Sequence, residues 1–579
     1  MTYSLTAEQE DICAAFDTGN HLVVQAGAGT GKTTTIEVLA DRAADQGKKC
    51  IYLAFNKAIA KEVGERFTRG NVQSMTFHSL CWRIANKDPQ LNPVLRKLNN
   101  PNPLPFFKIA DKFNITDTHS FLTIKGQKDL VRNSNLDIAE AHHQVLRRNA
   151  MVGYALKTVT KWCQSADKRI DMEHVVYPMN MAFAGGIDMS DEDDDFIALS
   201  IDDYKEKIVT IARTLWDEDI SQPYGVLMFG HDHYLKMVSL KRPSLHTALN
   251  LPVGSVIFFD EAQDARPAMT SMIYDQAHPT ELVRYADGRE VAPRMQIVAV
   301  GDSAQAIYGT FTGARDALPQ LSGLGGCINK PLSQSWRFGQ DIAKYSNTVL
   351  SILDAPIRLK GNPDIDSQLH HYQDFDGLRY IDNPDSVIVR SNADLIDVLT
   401  YFRACDNPVY LNANTSYVLS IVDDVERLLK GKKPKTKDLR DISSIEELKD
   451  YAENEFVDRQ LVVLLKTILK RGVVPIRDAF NYGRYSSVNY TGDKPVVSVS
   501  TIHKAKGQQW DNVVMYMDPK RDLPHFDDGE LDLHSLEVRE ALMLLYVALT
   551  RARKNLYVPE DVNIFIHQLM MQRFGLQHV

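Results

Sequence analysis

A strand-like apolar run, His21 to Gln25, leads into Ala26-Gly27-Ala28-Gly29-Thr30-Gly31-Lys32-Thr33. A segment with helical apolar spacing follows, at Ile36, Leu39, Ala40 and Ala43. Strand, glycine loop, Lys-Thr and helix in that order constrain the chain more than any other stretch. Loop N–H groups and the positive end of the helix converge on one anion. Ala26 through Thr34 therefore form the predicted nucleotide-binding stretch, with Lys32 reaching the β- and γ-phosphates and the Thr33 hydroxyl holding Mg²⁺. Ala26 stands where the general pattern has glycine. The bland alternative is a glycine-rich strand-to-helix turn with no ligand.

The chain has 579 residues, too many for one core, so three or four structural units are expected. No apolar run reaches the about 18 residues that a membrane helix needs, and the first residues lack a signal-peptide pattern. Six scattered cysteines without CxxC spacing predict reduced thiols, with no disulfide framework and no iron–sulfur cluster. The net charge is −9, from 66 basic and 75 acidic residues. That balance neither supports nor excludes a nucleic-acid partner, because a local groove can be basic on an acidic protein.

Before the loop, Thr6 is a predicted N-cap, and Gln9 offers a donor and an acceptor that suit the edge of adenine. After it, Lys49–Phe55 and Val72–Thr76 read as buried strands alternating with helices, which indicates a parallel sheet with ligands at the strands' carboxyl ends. Phe55, Asn56, Thr76 and His78 all fall at such ends. From about 84 to 249 the alternation is lost, and the stretch reads as an inserted, mainly helical domain. Its acidic run from Asp188 is a predicted solvated loop. His231-Asp232-His233 does not place both histidines on one helix face, so it is not read as a metal site.

Alternation resumes at Ser255–Phe259, which ends in Asp260-Glu261-Ala262-Gln263-Asp264. Carboxylates here lie beside the phosphates in such a sheet. Asp260 is expected to help hold Mg²⁺ through water, and Glu261 to act as general base on the attacking water. Gln305 follows the next strand and is placed to sense the γ-phosphate. Tyr308 and Phe311 present aromatic faces for bases. Trp336 offers a face for adenine, and Arg337 and later Arg551 offer forks for phosphate. Residues from about 411 to 490 read as a second, smaller insertion that includes a basic linker-like run, 431–440. The strand Pro495–Ser500 then leads into Thr501-Ile502-His503-Lys504-Ala505-Lys506-Gly507-Gln508-Gln509-Trp510.

In this order, AGAGTGKT, DEAQD, GDSAQAIY, SWRFG, TIHKAKGQ and YVALTRA resemble superfamily 1 helicases of the UvrD/Rep type across almost the whole chain. Ala26 fits that family's usual loop. WCQSAD at 162–167 and HDHYLK at 231–236 resemble the F-box-type DNA helicase branch. The resemblance implies an α/β fold of two RecA-like P-loop domains, parallel sheets flanked by helices, each with a mainly helical insertion. The expected bounds are 1–84 and 250–325 for the first domain, with 85–249 inserted. The second spans 326–405 and 491–579, with a short insertion at 406–490.

By the same resemblance, Gln9, Lys32, Thr33, Asp260, Glu261, Gln305, Trp336, Arg337, Gly507, Gln509 and Arg551 surround ATP and Mg²⁺. Gln509 stands where the family usually has glutamate. Arg337 and Arg551 are expected from the second domain, reaching the γ-phosphate only when the cleft closes. Phe55, Asn56, Thr76, His78, Tyr308, Phe311, Thr501 and His503 are expected along single-stranded DNA. The implied activity is an ATP-dependent DNA helicase moving 3′ to 5′, with single strands and single/double-strand junctions as substrates. Repair, recombination or replication is the implied setting, and the cytoplasm or the nucleoid the expected location. A nuclease, a recombinase or a single-strand-binding protein is the implied kind of partner. Two other readings stay open: a translocase that strips proteins from single strands, and an ATP-gated subunit of a nuclease system.

Overall fold

The structure, a computed structural model, describes residues 5–99, 104–115, 136–176, 201–279, 282–284, 288–309, 313–373, 381, 384–436, 438–439, 442, 444–452, 459–488, 490–526 and 530–575. The first lobe is built on β1 (Leu22–Ala26), β2 (Cys50–Ala54), β3 (Val72–Thr76), β4 (Val256–Phe259), β7 (Gln296–Gly301) and β8 (Ile328–Leu332). They form one parallel sheet in the order β3-β2-β4-β7-β1-β8. A small antiparallel hairpin, β5 (Val283–Arg284) and β6 (Glu290–Val291), lies outside it.

Period-2 alternation assigns each strand residue to one face of the sheet. Leu22, Val24, Tyr52, Val256, Phe258 and Val298 pack on Ile12, Phe16, Ile36 and Leu39. Val23, Leu53, Ile257, Phe259 and Ile297 pack instead into the inserted helices, against Val152, Ala155, Ile208 and Leu235. Burial on both faces is why these strands read as continuous apolar runs. The insertion, with helices Leu136–Gln164, Ile201–Leu215 and His231–Lys241, is therefore continuous with the first lobe's core. Most of the expected acidic loop, 188–200, lies outside the described residues, and 201–206 opens the helix Ile201–Leu215.

The second lobe carries β9 (Gln368–Tyr372), β10 (Ser386–Val389), β11 (Val409–Asn412), β12 (Val497–Thr501), β13 (Trp510–Tyr516) and β14 (Ala552–Pro559). These form a second parallel sheet in the order β11-β12-β10-β13-β14-β9.

Two expected boundaries move. β8 lies beyond the break expected at 325, yet it pairs with β1, Leu22↔Ile328 to Ala26↔Leu332, so the first sheet ends at Leu332. β11 falls inside the expected insertion at 406–490, yet it pairs with β12. The rest of that insertion has no separate core. Val418, Ile421, Leu464, Ile476 and Phe480 share one cluster with Val387, Val389, Val499 and Val514 of the sheet. The basic run is also tied down, since buried Asp424 accepts the backbone N–H groups of Lys435 and Thr436 at 2.7 and 2.6 Å.

One shared core predicts one unfolding event. Phe480→Ala, at a fully buried site, should cost about 3–5 kcal/mol. Calorimetry should show the second lobe and its insertion melting together at lower temperature. A separate transition for 413–488 would contradict the shared core.

Candidate functional site

The glycine loop joins the end of β1 to the helix Lys32–Asp45. Ala26 is the last residue of β1, paired with Leu332, so a β-carbon is accommodated there. The left-handed positions fall on Gly29 (φ 73°) and Gly31 (φ 81°), where side chains are disfavoured. A β-carbon at Gly29 would also come within 2.6 Å of the Arg337 β-carbon. Gly31 starts the helix with no side-chain cap, which leaves the first-turn N–H groups to an anion. Thr33 and Thr34 are half-buried in that turn.

Facing the loop are the ends of β4 and β7. Lys32 Nζ lies 3.6 Å from Glu261 Oε1. Burial opposes the charge on Lys32, but Glu261, Asp302 and Asp260 outweigh it and raise its pKa. Glu261 sits in the left-handed region at φ 51°, a conformation that costs on the order of 1 kcal/mol outside glycine. Burial pushes its carboxyl up, but Lys32 and Lys506 win and hold it at about 2. Asp260 goes the other way, to about 6, because burial and the neighbouring Glu261 carboxylate exceed the help from Tyr52. The Tyr52 hydroxyl donates to Asp260 Oδ2 at 2.6 Å. Gln263 donates to Glu261 and accepts from the Asp302 backbone N–H. Gln305 donates to Asp302 Oδ2 at 2.7 Å.

Trp336 and Arg337 arrive by a route the sequence did not predict. They lie just past β8, beside β1, so the segment is bonded to the loop itself: the Trp336 N–H donates to the Gly29 carbonyl at 2.8 Å. Arg337 is thus tethered to the first lobe's loop while its guanidinium reaches the second lobe. It donates to Gln509 Oε1 at 2.7 Å and to the Thr550 carbonyl at 2.8 Å. Burial pushes its pKa down to about 10.

Arg551 is fully buried, and its donors are engaged within its own lobe by Val547 O, Gln508 O and Thr550 Oγ1. Burial and nearby Arg337 lower its pKa to about 9. Gln9 is also engaged: its Oε1 accepts the Thr6 N–H in a capping box, and its Nε2 donates to Thr35 Oγ1 at 3.1 Å. The half-exposed Trp336 indole lies beside Gly31 and near the Gln9 amide. Gly507, at φ 85°, makes the turn before Gln509.

Next to these charges runs a row of rings. Phe55, 48% exposed, stacks on Tyr308 with centroids 5.6 Å apart and planes at 14°. Tyr308 tilts against His503 at 6.0 Å and donates its hydroxyl to the His503 carbonyl at 3.1 Å. Burial pushes His503 down to about 4, so its ring is neutral at physiological pH. Thr501 is half-buried at the end of β12.

The other expected nucleic-acid residues do not join this row. Asn56 and Thr76 accept backbone N–H groups as helix caps, from Ile59 and Ser79. His78 packs edge-on against His231 and Tyr234. His233 accepts the Gly230 N–H, a local capping role. Phe311 lies outside the described residues.

Sequence reasoning passed over Lys506, Asp302, Tyr52 and Tyr546. Lys506 bridges the lobes: its ammonium donates to Asp264 Oδ2 and to the Gln305 carbonyl, both at 2.6 Å, and sits 4.9 Å over the Tyr308 ring. Lys506, Asp302 and Tyr546 lie inside TIHKAKGQ, GDSAQAIY and YVALTRA, but no residue type or spacing there separates them from their neighbours.

Comparison with known proteins bears on this arrangement. Residues 5–318 match the UvrD/REP helicase N-terminal domain, and 389–560 match the UvrD-like helicase C-terminal domain. The chain is 26% identical to F-box DNA helicase protein 1 of Schizosaccharomyces pombe, over 97% of this chain and 58% of that protein. It is 25% identical to F-box DNA helicase 1 of Gallus gallus, over 96% of this chain and 49% of that protein. The chain thus spans about half the length of these curated relatives. A two-lobed parallel α/β fold with charged loops meeting at the lobe boundary, and matches to both domain models over most of the chain, make it a member of the UvrD-like helicase family.

Proposed function

We propose that this chain is an ATP-driven DNA helicase that moves along single strands from 3′ to 5′ and unwinds duplex. The observation that carries this reading is the joint boundary: Lys32, Asp260, Glu261 and Gln305 of the first lobe stand beside Arg337 on the crossover segment, which reaches Gln509 of the second lobe, while Lys506 of the second lobe reaches Gln305. ATP phosphates would lie on the loop N–H groups between Gly29 and Thr33. The residues present suit Mg²⁺, since Asp260 is a buried carboxyl whose pKa is raised by a second carboxylate and Thr33 stands in the facing helical turn. Thr33 and Asp260 would hold the ion, and its charge would offset that of the β- and γ-phosphate oxygens.

Lys32 is the residue that must change partner. In turning from Glu261, 3.6 Å away, to the γ-phosphate, it frees that carboxylate. Glu261 is then available to take a proton from the attacking water. Gln305 positions that water. Arg337, carried on the crossover segment, meets charge developing on the transferring group. Trp336 offers its exposed face to adenine.

The ring row Phe55–Tyr308–His503 lies directly behind this chemistry, with Lys506 touching both Tyr308 and Gln305. A change at the γ-phosphate is thereby felt at rings that stack on bases. One observation favours a second reading, a translocase with weak unwinding: the second insertion is folded into the second lobe's core. Strand displacement on 3′-tailed and 5′-tailed duplexes separates the two readings and tests polarity.

Three outcomes are expected. Lys32→Ala should lower DNA-stimulated ATP hydrolysis by at least about a hundredfold while circular dichroism shows the protein still folded, and retained turnover would refute the site. Trp336→Ala should raise the KM for ATP about fivefold, the equivalent of roughly 1 kcal/mol of stacking, and an unchanged KM would make Trp336 a packing residue. Phe55→Ala should weaken single-strand binding by about tenfold, within the roughly 1–3 kcal/mol of one stacked base. In the same fluorescence titration, affinity should fall steeply with salt.

A further inference from the structure

Tyr546 belongs to the helix Leu536–Leu549 of the second lobe, five residues before Arg551. Its side chain is fully buried, yet its hydroxyl leaves its own lobe. The oxygen accepts the backbone N–H of Ala28 in the glycine loop at 3.1 Å, and the hydroxyl donates to Asp302 Oδ2 at 3.0 Å. The direction is forced. Ala28 N–H can only donate, and a phenol has one proton, so that proton must face the carboxylate. Burial and Asp302 hold the phenol protonated, raising its pKa well above the usual value.

The same carboxylate oxygen accepts Gln305 Nε2 at 2.7 Å. A single chain therefore runs from loop to sensor: Ala28 N–H to Tyr546, Tyr546 to Asp302, and Asp302 to Gln305. With one N–H committed to Asp302, the Gln305 amide has its orientation fixed, and its oxygen remains for water or phosphate. Every link but Tyr546 belongs to the first lobe.

We propose that Tyr546, held by the Ala28 N–H, is a positioning residue that reports closure of the second lobe to Gln305 through Asp302. When the lobes part, Asp302 loses a donor and Ala28 an acceptor, and the Gln305 amide loses its fixed reference. Hydrolysis is then confined to the closed cleft. This inference rests on the ATP-hydrolysis reading above and deepens it.

The test is Tyr546→Phe in the full chain, which keeps the buried ring and removes both bonds. In steady-state hydrolysis with saturating single-stranded DNA, kcat should fall about tenfold or more while the KM for ATP stays within twofold. Combined with Gln305→Ala, the variant should be no slower than Gln305→Ala alone, because Tyr546 acts through Gln305. Asp302→Asn approaches the same chain from the other side. It should lower kcat similarly and show no further loss when Tyr546→Phe is added, and it serves equally if Tyr546→Phe unfolds. An unchanged kcat, a loss that multiplies with Gln305→Ala, or a fall in affinity with kcat preserved would overturn the proposal. Absence of hydrolysis by the unmodified chain would instead overturn the reading beneath it.

Discussion

Three successive residues of the glycine loop are bonded to three different parts of the protein. Gly27 N–H donates to Leu332 O at 3.0 Å, Ala28 N–H to the Tyr546 hydroxyl, and Gly29 O accepts from Trp336 N–H. The loop is thus pinned by its neighbouring strand β8, by the crossover segment and by a helix of the second lobe. A loop shaped from both lobes cannot be indifferent to their separation. This constraint also explains where Trp336 and Arg337 lie: parallel pairing of β8 with β1 delivers the crossover to the loop without any long excursion.

Around that loop the charges are balanced. Lys32, Arg337, Lys506 and Arg551 stand among Asp260, Glu261, Asp264 and Asp302; Asp260, Asp264, Asp302 and Arg551 are buried and the other four half-buried. Buried charges are tolerated when paired, and removing one partner is costly. A polyphosphate entering this cluster must therefore exchange partners with existing ions. In the proposed motor, Lys32 is the ion best placed for exchange, since its contact with Glu261 is long at 3.6 Å. Lys506, held at 2.6 Å by Asp264 and by a backbone carbonyl, is better suited to hold the lobes in register.

The helical insertions serve the lobes in the same way on both sides. Each completes one face of a parallel sheet that would otherwise be exposed to water. Inside the first insertion Trp162 packs edge-on to Trp216 at 4.9 Å, and the buried Lys236 ammonium lies over Trp162 at 4.4 Å. The helix His231–Lys241 carries the rings that pack on His78.

The parallel α/β architecture, the helical insertions and the charged residues at strand ends are legible in the amino-acid pattern alone. Each of these follows from local rules: apolar runs for strands buried on two faces, 3.6-residue spacing for helices, and glycine where φ is positive. Lys32, Glu261, Gln305 and Arg337 stand out there as candidates only, because their residue types at those spacings suit phosphate chemistry. Features that depend on pairing between distant segments emerge only in the folded chain. β8 and β11 are short strands whose assignment depends on the edges they join, so the domain boundaries followed hydrogen bonding between distant segments. Gln9, Asn56, Thr76 and Arg551 looked free for ligand in one dimension, but nearby backbone and hydroxyl groups had already engaged them. Tyr546 and Lys506 gain their importance from partners more than 200 residues away, at separations of 244 and 242, and no local pattern records such a contact.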